Sequence, residues 1–416
     1  MKNATRLLAA IVLFGSFAAY AQVSVEYRRA LMAPFPEDRW DAILNLARSE
    51  GEVRWWMWNG DKNTNVWVDE FASRQLFEVY GIKFRRVGVG HPSVFMKQLE
   101  DDMKKGVPQG QIDLVWINGE NFRVARKKDL LWGPFAHHLP NFTKYVDPAA
   151  PDIAYDFGFP TQGFETVYSR AQLVFYYDSA RVKAPPTNLV QLVRWVREHP
   201  GRFTYPQVDD YTGSAFVRNV FFHTNTTGGY QSFLNGPFDA ELISNTASTT
   251  WAYLNGLKPY LWRQGKEYPK TVSELDELFQ KGEIDFTISY SPLKGANMIK
   301  VNAWPDTVRS FVLAEGTLRN ANFVAIPFNA KNKAAAMVLA NLIMSPEFQI
   351  LSGTMMGIDY SKLNEKQQSV YQSRVGGSPA ALPPVVLDRQ AIPEVPEEYV
   401  LAIESGWKKN VGAPKP

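Results

Sequence analysis

Apolar positions Trp40, Ile43, Leu44 and Ala47 recur at helical spacing and Gly51 follows as a stop, so residues 37–50 read as a short amphipathic helix. Glu52 to Trp58 is rich in strand-favouring residues and runs into the turn cluster Asn59-Gly60-Asp61, which opens a second helix through Phe71 and Tyr80. Beyond Gly81, Ile82 to Val87 predicts a strand, Pro92 to Lys104 a helix and Ile112 to Ile117 a buried strand. The order is β-α-β-α-β. Strands alternating with helices of this length imply a parallel sheet with helices on both faces, because parallel connections must cross over the sheet.

After a loop-rich passage from His137 to Gln162 the pattern starts again. Leu173 to Tyr177 predicts a strand, Pro185-Pro186-Thr187 leads into a helix through Trp195, and Gly201 to Tyr205 reads as a strand ending at Pro206. Tyr211-Thr212-Gly213-Ser214 opens another helix, Val272 to Phe279 a further one, and Ile284 to Tyr290 a strand. Then come a short strand near Phe311, a strand from Phe323 to Ile326, and a helix from Lys333 to about Met344. Ser345-Pro346 restarts a helical turn, with Ser as cap and Pro at the first position. Gly376 to Pro396 is Pro-rich and expected to be irregular, and Glu397 to Trp407 is the last helix.

The first residues are set apart from this pattern. Lys2 and Arg6 precede an apolar run from Leu7 to Ala19 and the small-x-small site Ala19-Tyr20-Ala21, the layout of a cleaved export signal over residues 1–21. The run is shorter than the roughly 20 residues a membrane span needs, so a freely diffusing periplasmic product is expected. Cysteine is absent, which removes disulfides, thiolate metal sites, cysteine nucleophiles and the lipid-anchored form of an exported protein. The net charge of +3 falls to +1 without Lys2 and Arg6, and no long run of one sign occurs, which argues against a nucleic-acid partner. Aromatic residues make up 13% of the chain, including 12 tryptophans, more than periodic core stripes account for, and suit stacking surfaces.

Several long segments carry a family resemblance. Asp113-Leu114-Val115-Trp116-Ile117-Asn118-Gly119-Glu120-Asn121-Phe122, Pro160-Thr161-Gln162-Gly163, Lys258-Pro259-Tyr260-Leu261-Trp262-Arg263 and Asn322-Phe323-Val324-Ala325-Ile326-Pro327 resemble the YnjB-type family of periplasmic solute-binding proteins over nearly the whole mature chain. Lys331 to Gln349 is similar to the closing segment of many type II periplasmic binding proteins. The resemblance implies an α/β fold of two lobes, each a mixed sheet flanked by helices, joined by a hinge and closing around a ligand. It places residues 22–173 in lobe one, 174–321 in lobe two, and 322–416 in a return segment to lobe one whose final helices are unassigned. It also implies a monomer without cofactor, working with a permease and an ATPase of an ABC importer rather than as an enzyme.

Other chemistry fails on its own motifs. Ser291-Pro292-Leu293-Lys294 fits the Ser-x-x-Lys pattern of a serine hydrolase, but the companion Ser-Asp-Asn and Lys-Thr-Gly motifs are missing. Asp61 to Asn65 begins like a calcium loop, yet Val66 and Ala72 stand where Gly and Glu belong. His137-His138 has no third ligand near it in sequence. Tyr176-Tyr177 resembles the paired tyrosines of ferric-ion binding proteins, but strand alternation points them to opposite faces.

In open α/β sheets ligands sit outside the carboxyl ends of strands. That rule selects Trp58, Asn59, Asp61, Asn118, Glu120 and Asn121 on lobe one, and with the hinge it adds Tyr177, Tyr205, Tyr211, Thr212, Gly213, Ser214 and Tyr290 on lobe two. Turn chemistry and core packing explain the same residue types equally well. The aromatic and acidic set favours a cationic or zwitterionic heterocycle or amine, such as a thiamine-like compound or a polyamine. The helix start at Thr212-Gly213-Ser214 would suit an anion, and stacking with Asn and Asp would suit a sugar.

Overall fold

A computed structural model describes residues 39–59, 62–225, 228–234 and 238–412, without the side chains of residues 62, 63, 375 and 376. The export signal and Asp61 lie outside the described residues. The chain forms two bodies. In the first, helix α1 (Trp40–Glu50) leads to strand β1 (Glu52–Trp58), α2 (Lys62–Tyr80), β2 (Lys83–Val89), α3 (Ser93–Lys105), β3 (Leu114–Ile117) and α4 (Gly119–Lys127). This is the expected β-α-β-α-β run. β1 lies between β2 and β3 and parallel to both, with Trp55 opposite Leu114 and Arg86.

The sheet is nevertheless mixed, because two long strands join it antiparallel. β4 (Glu165–Gln172) leaves the first body, and β8 (Thr317–Pro327) returns to pair with both β4 and β3, Phe323 facing Ile117 and Val167. Between them the second body is built on β5 (Val174–Asp178), α5 (Leu189–Glu198), α6 (Tyr211–Thr224), α7 (Ala240–Leu257), α8 (Val272–Gln280), β6 (Phe286–Ser289) and β7 (Val308–Phe311). β5 is the central strand of that antiparallel three-stranded sheet. Gly201 to Tyr205, with Gly201 itself in a turn at φ 83°, is largely buried but joins no sheet. It bonds irregular segments instead, Asp285 N–H to Arg202 O and Trp262 N–H to Phe203 O.

The crossing lies slightly before the expected Val174–Tyr177 and Asn322–Pro327. Gln172 N–H bonds Tyr290 O and Leu173 N–H bonds Leu318 O, so both chains pass between the bodies at these residues. After β8 come α9 (Lys333–Ile343) and α10 (Pro346–Leu351), capped by the Ser345 hydroxyl as expected. The chain then crosses a third time. β9 (Ala391–Pro393) runs parallel to the start of β8, and the final helix α11 (Glu397–Asn410) packs on α6 and α7. Leu363 and Tyr371 belong to the first core, whereas Ala380, Leu387, Tyr399, Ile403 and Trp407 belong to the second. The return segment therefore divides between the bodies.

An ionic network braces the crossing. Asp152 binds Arg170 at 2.7 Å and Arg319 at 3.1 Å, and Arg319 reaches Asp388 at 2.6 Å. Burial pushes the Asp152 carboxyl up, but the two guanidiniums outweigh it and hold the group below its ordinary range.

Candidate functional site

The candidate residues form two groups, one wall on each body. The first is built from the carboxyl ends of β1 and β3. Trp58 is 43% exposed, and its ring lies 6.2 Å from the Trp116 ring at an interplanar angle of 33°. Trp58 ends a strand whose alternate residues Val53, Trp55 and Met57 fill the core, so its own ring must turn outward. Asn59 continues the strand through its N–H to Val89 O, and its side chain accepts from Arg86 at 3.2 Å.

Asn118 precedes α4 but does not cap it with its side chain. Its Nδ2 donates to Ala321 O at 2.9 Å, and Asn320 Nδ2 donates to the same carbonyl at 3.1 Å. Asn118 Oδ1 and Asn320 Oδ1 are both buried without a hydrogen-bond partner among the described residues. Asn65, in the first turn of α2, is 4% exposed and has neither amide atom paired among the described residues. A buried amide oxygen left without a donor costs about 1–3 kcal/mol, a cost that a donor on a ligand would relieve. Asn65, Trp116 and Asn320 were not picked out from sequence. The signal for Asn320 was a polar period of two, Asn320 and Asn322, inside a strand read as starting only at Phe323.

Glu120 and Asn121 follow on α4. Gly119, at φ 55°, admits the turn and gives its N–H to Asp156 at 2.5 Å. Glu120 lies 3.9 Å from Arg123, which also binds Glu398 of the second body. Glu397 shares a side-chain hydrogen bond with Glu120, and burial together with that neighbour lifts its carboxyl to about 7. These groups line an inter-body cavity of about 300 Å³ with Phe157, Phe238 and Pro396. Asn121 is half-buried on the same helix.

The second wall is internally paired. Glu394 accepts the Tyr290 hydroxyl at 2.8 Å and the Tyr211 hydroxyl at 3.3 Å, and forms an ion pair with the fully buried Arg218 at 2.8 Å. Burial and the Glu394 carboxylate push the Tyr290 phenol well above its ordinary range. Tyr211 turns its hydroxyl to Glu394 and is 46% exposed as a residue, with its ring edge-on to Tyr290.

The expected anion site at Thr212-Gly213-Ser214 does not form. Asp210 caps α6 and takes the N–H groups of Thr212 at 2.8 Å and Gly213 at 3.2 Å, while Ser214 bonds Glu404 and Arg218. The helix dipole is already answered by a carboxylate. Tyr205 is also removed from the surface. It is fully buried against Phe216 and Tyr268, with its hydroxyl taking the Trp407 N–H at 3.1 Å. Tyr177 sits at the far end of β5 from the crossing, packed on Phe286 and Phe311.

Tyr176 is buried with its hydroxyl on Ser291 O, and the Lys294 amine is paired with Asp276. Among the described residues no three His, Asp or Glu side chains gather as a metal site, and no helix is long and apolar enough to cross a membrane.

Residues 67–358 match the family model described as bacterial extracellular solute-binding protein. Protein YnjB of Escherichia coli strain K12 is 32% identical over 381 residues, 90% of this chain and 94% of the relative. Among solved structures, the spermidine/putrescine ABC transporter substrate-binding protein PotD from Streptococcus pneumoniae strain Canada MDR_19A superposes with a TM-score of 0.61 at 14% identity, over 86% of this chain and 98% of that one. Iron-bound HitA from Pseudomonas aeruginosa gives 0.51 at 14% identity, over 85% and 98%. At such identities the two structures establish the shared two-lobed fold alone.

Proposed function

Because the chain belongs to the family of bacterial extracellular solute-binding proteins, a family of transport proteins and not of enzymes, we propose that it captures a small organic cation or zwitterion between its two bodies. A thiamine-like heterocycle or an amine of the polyamine kind fits this reading. The carrying observation is the pair of buried acceptors, Asn118 Oδ1 and Asn320 Oδ1, unpaired among the described residues and anchored to one carbonyl on the wall that bears Trp58 and Trp116. Acceptors without donors call for a ligand bearing N–H groups, and an aromatic face attracts positive charge by about 0.5–2 kcal/mol.

The neighbours carry cargo as different as spermidine or putrescine and iron, so the fold leaves the choice to the wall. An anion would lack its helix N-terminus, which Asp210 occupies. A sugar is the second reading, favoured by the neutral amides of Asn59, Asn118 and Asn320 beside a tryptophan ring. In the proposed cycle the loaded protein acts as a monomer in the periplasm, after removal of residues 1–21, and passes its cargo to a permease driven by an ATPase.

A thermal-shift series on ligand-stripped protein tests this with thiamine-like cations, polyamines, sugars and phosphate esters. A true ligand at about 100 times its Kd adds about 2.7 kcal/mol, a midpoint rise of a few degrees. A rise with organic cations is the expected result, and a rise confined to phosphate esters would overturn the reading.

A further inference from the structure

The first body holds a second cavity, of about 250 Å³, whose lining includes His137, Phe142, Tyr155, Gln162, Glu165 and Phe323. All the lining residues fall within 137–165 or are Phe323, so the second body contributes none of it. Glu165 is 2% exposed, and neither of its carboxylate oxygens has a hydrogen-bond partner among the described residues. It begins β4, seven residues before the crossing at Gln172, and lies opposite Ala325 in the sheet.

The charged and titratable groups around it do not answer it. Asp156 stands close enough to repel its charge, and itself receives the Gly119 N–H. The Arg126 guanidinium attracts it but lies 3.3 Å over the Phe164 ring and donates to Gln162 at 3.3 Å, with its Nε unpaired among the described residues. His137 packs edge-on against Phe142. A buried carboxyl must be protonated or paired.

We propose that this cavity is a second binding site, separate from the inter-body site, for a small primary ammonium ion held by Glu165 with Asp156 nearby. Such an ion brings positive charge and three N–H donors to oxygens that have none, and the aromatic lining adds attraction. A metal ion is the poorer occupant, because no third His, Asp or Glu joins the pair among the described residues. Burial first, and the Asp156 charge second, raise Glu165 well above its ordinary range, and burial lifts Asp156 to about 8. The incoming cation therefore replaces a proton, and its affinity grows as pH rises toward the raised range of the Glu165 carboxyl.

The test titrates ammonium chloride and methylammonium chloride, against sodium chloride at matched ionic strength, into the purified protein. Binding is followed by thermal shift and by calorimetry in two buffers of different ionisation heat. The expected result is saturable stabilisation by both ammonium ions and not by sodium, with uptake of a proton by the buffer. Glu165→Gln should lose it while keeping its fold by circular dichroism and its response to the inter-body ligand. Asp156→Asn should weaken it. Absence of a saturable ammonium effect in the wild type would overturn the proposal. So would an effect that survives Glu165→Gln but vanishes in Trp58→Ala, because the ion would then be in the inter-body site.

Discussion

The two walls of the crossing differ in what their polar groups are left to do. On the second wall the Tyr211, Tyr290, Arg218 and Glu394 side chains satisfy one another, and Asp210 closes the helix start at Thr212. On the first, Asn118 and Asn320 each spend their amide donor on Ala321 O and keep an acceptor unpaired among the described residues. The lesson is that residues chosen by position at a strand end can differ widely in whether the protein already satisfies them. One wall is internally paired and presents the Tyr211 ring; the other keeps the polar groups that the proposed cargo would complete.

Substitutions should separate the walls by effect. The largest loss is expected for Arg218→Met, which leaves Glu394 buried without its cation and should cost about 3–5 kcal/mol in urea unfolding. Asn118→Ala should instead weaken cargo binding about tenfold to a hundredfold in calorimetry, the scale of a hydrogen bond to a charged donor, with only about 1 kcal/mol of stability lost. If both substitutions acted mainly on stability, the contrast would fail. Asp210→Ala should cost about 1 kcal/mol as a lost cap and, by freeing the Thr212 and Gly213 N–H groups, make the variant more responsive to added phosphate than the wild type in thermal shift.

The smallest effect concerns the contact between the bodies. Glu397, lifted to about 7 from its ordinary 4.5, binds a proton more readily folded than unfolded between those values. Its contribution is full below about 4.5 and declines as pH rises through about 7, so stability should fall across that window. Glu397→Gln should flatten the decline in urea midpoints measured at several pH values, and an unchanged slope would assign it elsewhere.

What was legible in sequence follows from the same physics. The first β-α-β-α-β run was readable because strand-favouring and helix-spaced segments are separated by Gly and turn residues, with clean alternation in β1, and Asn118 followed from it by the strand-end rule. The resemblance, not periodicity, supplied the two-lobed plan. Tyr205 misled because Gly201 to Tyr205 has the composition of a strand; its apolar residues record burial, while its backbone bonds go to irregular segments. Asp210 stood directly before the helix start as an N-cap signal and, weighed as one, would have closed the anion site in advance. Asn320 was hidden because a crossing strand serves two bodies and so loses the single apolar period by which strands are found.

Native mass spectrometry of ligand-stripped protein, offered an equimolar mixture of organic cations, sugars and phosphate esters, tests the central claim most directly. The account requires an organic cation or amine to be retained by the wild type and lost from Asn118→Ala. Retention of a phosphate ester alone, or of the same cation undiminished in Asn118→Ala, would contradict it.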